Sequence, residues 1–95
     1  MSNKSNKAIK VLIKGKIQGV GYRANTHQKA TQLGITGYIR NTTGSTIELV
    51  GEGEEESLNK LVDYLKVGPS GAEIEEIDVE WIEATGDHIR FAIKY

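Results

Sequence analysis

No cysteine occurs among the 95 residues. That excludes a disulfide framework, a thiolate nucleophile and a cysteine-held metal centre, and it fits a cytoplasmic setting. No apolar run approaches the ~18 residues of a membrane-spanning helix, so no membrane partner is expected. Met1 to Lys7 is polar and lacks the apolar stretch of a signal peptide. It reads as a flexible tail ahead of one domain over residues 8–95. Aromatic residues make up only 6% of the chain. The aromatic positions with which a sheet stacks bases are missing, which argues against RNA binding. No serine lies in a nucleophile-elbow motif, so a serine hydrolase is not indicated either. Repeats, linkers and low-complexity segments are absent.

Acid is missing from half of the chain. Residues 1–47 carry eight basic side chains and no Asp or Glu, whereas residues 48–95 carry four basic and all thirteen acidic ones. The net charge of −1 conceals this split. An acid-free half suits a small anionic ligand. The rival reading is a nucleic-acid surface, but the acidic second half would repel a phosphate backbone wherever the two halves share a face.

Within the basic half lies Gly15-Lys16-Ile17-Gln18-Gly19-Val20-Gly21-Tyr22-Arg23. Before it, Ile9, Val11 and Ile13 alternate with Lys10, Leu12 and Lys14, the pattern of a half-buried strand over Ala8–Lys14. After it, Tyr22–Leu33 has helix-compatible composition, with Gly34 where a helix stop belongs. A glycine-rich loop thus joins a strand to a helix, with an arginine in the helix's first turn. Unpartnered N–H groups and the helix dipole favour an anion there. Glycines let successive N–H groups point into one concavity, and an arginine fork can grip two phosphate oxygens.

Further along, strands are expected near Ile35–Asn41 and over Thr46–Gly53, joined by a turn at Thr42-Thr43-Gly44-Ser45. Ile47 and Leu49 belong to one face of the latter, and Glu48, Val50 and Glu52 to the other. A second helix starts in Glu54-Glu55-Glu56, carries Leu58, Leu61, Val62 and Leu65 at helical spacing, and stops at Gly68-Pro69. The three acids read as a solvated helix start rather than a metal site. In the fourth strand Ile77, Val79 and Trp81 point inward. Ile74 is out of that phase, which places a bulge near Glu75. The last strand alternates Ile89, Phe91, Ile93 and Tyr95 against Arg90, Ala92 and Lys94, and as an edge it would be the place for self-association. Trp81 and Phe91 read as core, and His88 as a turn residue. The expected architecture is an α+β ferredoxin-like α/β sandwich, βαββαβ with a trailing strand, one antiparallel sheet carrying two helices on one face.

Three blocks now point the same way. The loop from Gly15 to Arg23 resembles the acylphosphatase signature, roughly G-[KR]-V-Q-G-V-x-[FY]-R. Gly37-Tyr38-Ile39-Arg40-Asn41, ending eighteen residues beyond Arg23, resembles the family's second block. Gly68-Pro69-Ser70-Gly71-Ala72-Glu73-Ile74-Glu75-Glu76-Ile77-Asp78-Val79-Glu80-Trp81 resembles the third. The resemblance runs from about residue 8 to 95. It departs from the family at Ile39, bulkier than usual, and at Gly44-Ser45, where the family usually has Asp-Gly.

The resemblance implies hydrolysis of small acyl phosphates to a carboxylate and inorganic phosphate, the latter both product and inhibitor, with no metal or cofactor. Arg23 would bind phosphate as the catalytic residue, and Asn41 would position the attacking water. Backbone N–H groups of Ile17, Gln18, Gly19, Val20, Gly21 and Tyr22 would cradle the phosphoryl oxygens. A monomer is expected. Two other classes share the fold. A module that only holds phosphate would keep the loop but lack Arg23 or Asn41. An interaction domain is the other, and similar domains occur fused within larger carbamoyl-transferring proteins that carry cysteine-rich regions. His27, one turn beyond Arg23, has a side chain suited to proton transfer, but it stands outside the motif and no acid or second histidine is near it in sequence.

Overall fold

A computed structural model describes residues 6–17 and 21–94. The elements are β1 (Lys7–Lys16), α1 (Tyr22–Gln32), β2 (Thr36–Asn41), β3 (Thr46–Gly53), α2 (Glu55–Val67), β4 (Glu73–Ile82) and β5 (Phe91–Lys94). Tyr95 and the first five residues of the expected tail lie outside the described residues, and Lys7 already pairs with Gly53 at the start of β1.

The strands form one sheet in the order β4-β1-β3-β2-β5. Two split βαβ units produce it: β1-α1-β2 steps across β3, and β3-α2-β4 steps across β1. Pairing is antiparallel except at one edge, where β5 runs parallel to β2, so the sheet is mixed. Alternation of apolar residues has the same period in either orientation, and so could not reveal this.

Ile9, Val11 and Ile13 of β1 meet Gly51, Leu49 and Ile47 of β3 in register. These rows face the helices and form the core with Ile39, Leu58, Leu61, Leu65 and Phe91. Helix α1 is weakly apolar and buries Tyr22, Thr26 and Ala30. Helix α2 buries Leu58, Leu61 and Leu65, with Val62 half-buried beside them. Each fully buried Leu or Ile contributes about 1.5–3 kcal/mol of transfer free energy.

The bulge lies where the phase change of Ile74 put it. Lys14 pairs with Glu76 and Gly15 with Ile74, so Glu75 is the extra residue. Gly15 is needed here: a Cβ would lie 2.1 Å from the Glu73 carbonyl oxygen.

Two expectations of burial fail at the sheet's margins, at Trp81 and Ile89. Trp81 is 47% exposed and not core, because β4 is an edge strand with no neighbour beyond it. Ile77 and Val79, on the same row, do point inward and, half-buried, pack against the core. Ile89 is 91% exposed and precedes β5, which begins at Phe91. Conversely, the polar row of β3 is buried on the helix-free face. Glu48 bridges Arg40, with Nε to Oε1 at 2.7 Å, and Lys10 at 3.7 Å. Glu52, only 3% exposed, is covered by the β4–β5 connection.

Candidate active site

The direction of the strands decides where the predicted residues fall. β1 and β2 both point toward one end of the sheet, and α1 begins at that end. Arg23 in the first turn of α1 and Asn41 at the last position of β2 therefore belong to the same end. Asn41 pairs with Ile47, which pairs with Ile13, so it sits on the helix-facing rows, in the layer to which α1 belongs. Arg23 is half-buried and Asn41 exposed.

Of the expected cradle, Gln18, Gly19 and Val20 lie outside the described residues. Both flanks are anchored. Ile17, 1% exposed, is a core side chain at the end of β1. On the other side Tyr22 is buried, and its hydroxyl donates to the Leu65 carbonyl at 2.7 Å. Burial, and secondarily the neighbouring Tyr64, push the Tyr22 phenol well above its ordinary range, so it remains a neutral donor. This bond ties the start of α1 to the last turns of α2 and fixes where the helix begins.

Gly21 is the N-cap of α1 with φ 75° and ψ 22°, a left-handed conformation natural to glycine. No side chain caps this helix start, and its first turn holds no acid. The first N–H groups of α1 thus lack both an intrahelical acceptor and a capping oxygen from the preceding residue. Beyond Asn41 the chain turns back at once. Thr42 donates from its N–H (3.0 Å) and its hydroxyl (3.1 Å) to the Thr46 carbonyl, and Gly44 adopts φ 69°. The Gly44-Ser45 turn closes tightly and holds the end of β2.

His27 packs its ring against Phe91, centroids 6.1 Å apart, over β5. Phe91 pairs with Gly37 at the start of β2, away from the Asn41 end, which favours packing over chemistry. His88 lies in the connection before β5, its ring 6.0 Å from Tyr38. Glu54 occupies the N-cap position of α2 without a side-chain capping bond, and Glu55 and Glu56 occupy its first turn. Among the described residues no group of three His, Asp or Glu side chains is arranged to hold a metal, and no helix is long and apolar enough to cross a membrane. One residue near the loop went unnoticed in the sequence: Asn25, whose side-chain amide donates to the Gly21 carbonyl at 2.8 Å.

Two helices on one face of a sheet built from split βαβ units make this a ferredoxin-like sandwich, a fold that serves many functions. Comparison with known proteins narrows it. The acylphosphatase family model matches residues 9–93. An acylphosphatase from Pelotomaculum thermopropionicum is 44% identical over 85 residues, covering 90% of this chain and 92% of that one. The acylphosphatase structure from Coxiella burnetii superposes with a TM-score of 0.90 at 32% identity, covering 99% of this chain and 100% of the other. That from Bacillus subtilis gives 0.89 at 27%, covering 94% and 99%. The chain belongs to the acylphosphatase family, enzymes that hydrolyse acyl phosphates.

Proposed function

We propose that the enzyme breaks the P–O bond of a carboxyl phosphate without metal or cofactor. In this reading backbone N–H groups from Ile17 to Tyr22 and the Arg23 guanidinium hold the phosphoryl oxygens, and Asn41 orients the attacking water. Water oxygen bonds to phosphorus as the carboxylate leaves. The observation that supports it is that the uncapped first turn of α1, with Arg23, and the end of β2, with Asn41, share one end and one layer of the sheet.

The division of labour suits the chemistry. Phosphoryl transfer has a loose transition state with charge on the equatorial oxygens, so positioning and electrostatics carry most of the catalysis. A carboxylate leaves readily and needs no general acid. Asn41 can accept from the water through its carbonyl and donate through its NH₂. Inorganic phosphate, as product, competes for the same donors and inhibits.

The enzyme acts as a cytoplasmic monomer. The lack of cysteine agrees with a reducing compartment. Edge strand β4 carries Glu73, Glu75, Glu76, Asp78 and Glu80, a row of like charge that repels a second copy, and β5 at the other edge is only four residues long.

Hydrolysis of benzoyl phosphate in EDTA, beside Arg23→Gln, tests the reading. Rapid turnover by the parent and near-background turnover by the variant is expected. No turnover by a folded parent would reduce the site to one that only holds phosphate.

A further inference from the structure

We infer that Asn25, outside the family signature block, is a positioning residue that aims the Tyr22 N–H at the phosphoryl group; this rests on the phosphate-binding role proposed for the loop. The Gly21 carbonyl accepts two hydrogen bonds from one residue: the Asn25 backbone N–H at 2.9 Å and the Asn25 side-chain amide at 2.8 Å. Both donors lie down the helix from Gly21, so they draw that carbonyl along the α1 axis toward Asn25. The peptide between Gly21 and Tyr22 is trans, as is every described peptide bond. In a trans unit the C=O and the following N–H point in opposite directions. A carbonyl pinned down the helix therefore turns the Tyr22 N–H outward, to the loop side where an anion would sit. Tyr22 is the first residue of α1, so this N–H has no intrahelical acceptor.

An ordinary helix would hold this peptide plane with one bond. Here Gly21 is in a left-handed conformation at the end of a glycine-bearing loop, and glycine gives the plane latitude to rotate. The second bond removes that latitude. It also crowds the position beside Gly21, since a Cβ there would lie 3.2 Å from the Asn25 amide nitrogen.

Asn25 is exposed, and its side chain would otherwise be a cost to the helix, because Asn is a poorer helix former than Ala. Stability and binding therefore move in opposite directions. Asn25→Ala should unfold no more easily than the parent, measured without phosphate, while its inhibition constant for inorganic phosphate and its KM for benzoyl phosphate rise about threefold to tenfold, the worth of one ordinary hydrogen bond. Asn25→Ser should recover most of that loss, because a helical serine hydroxyl can donate to the carbonyl four residues back. Asn25→Ala with unchanged phosphate inhibition, or Ser behaving like Ala, would overturn the assignment. Arg23→Gln measured alongside separates the two readings: if it also leaves phosphate inhibition unchanged, the loop's phosphate role fails, and if only Asn25→Ala does, the positioning role fails.

Discussion

The two ends of the sheet differ in where acid stands. At the end where β3 finishes, the protein supplies its own. The Glu52 carboxylate accepts the Thr85 N–H at 2.9 Å, the Thr85 hydroxyl at 3.1 Å and the Gly86 N–H at 3.0 Å. The β4–β5 connection is thereby clasped over the helix-free face. At the other end, α1 starts on a left-handed glycine with no capping side chain and no acid in its first turn. The same kind of donor, backbone N–H groups at a turn, is satisfied by the protein's own carboxylate at one end and, in the proposed function, serves a substrate anion at the other. A carboxylate placed next to Gly21 would close the second as Glu52 closes the first. The absence of acid before Glu48 agrees with the anion-binding role proposed for this end.

If this contrast is right, damage at the two ends should separate cleanly. The largest effect belongs to Arg23→Gln, which should lower kcat/KM by at least about 10²–10³, the cost of one lost electrostatic donor. Its urea unfolding midpoint should stay near that of the parent. Asn41→Ala should lower kcat by about 10², as expected when a reacting water loses its placement. Steady-state kinetics with benzoyl phosphate measures both.

Glu52→Gln should do the reverse, costing stability by about 1.5–3 kcal/mol through hydrogen bonds to a charged group while kcat changes little. Its pH dependence gives a second handle. Burial raises the Glu52 pKa, but the Thr85 and Gly86 N–H groups, the Thr85 hydroxyl and the charge of His88 together outweigh it, and the net shift is downward from 4.5. A carboxyl lowered by folding favours the folded state while ionised. Its contribution is complete above the ordinary value and is lost as pH falls through the lowered one. The parent should therefore lose more stability than Glu52→Gln on acidification below pH 4.5, read by urea unfolding at a series of pH values. The smallest effect is expected from Tyr22→Phe, about 1 kcal/mol for the buried hydroxyl and the Leu65 carbonyl it leaves without its partner. Thermal unfolding reads it directly.

Much of this was legible in the sequence, and the rest was hidden for definite reasons. Period and punctuation located every element to within a few residues, and a single out-of-phase isoleucine, Ile74, marked the bulge at Glu75. Trp81 was misjudged because alternation tells which way a side chain points and not whether its strand has a neighbour. The parallel placement of β5 was invisible for a related reason. The Glu52 clasp joins residues 33 and 34 apart, and the Tyr22 bond to Leu65 spans 43, so neither leaves a local pattern. At the site, Arg23 and Asn41 were found through motif resemblance, and the structure adds that strand direction carries their segments to one end. Asn25 left only a faint signal, an amide side chain four residues after a glycine at a helix start.

Separate roles for Arg23 and Asn41 are the centre of this account. The inhibition constant of inorganic phosphate, measured in Arg23→Gln and in Asn41→Ala on their residual activity, tests them most directly. The account predicts a large rise for Arg23→Gln and a value near the parent's for Asn41→Ala, whose partner is water. An equal rise in both variants would contradict it.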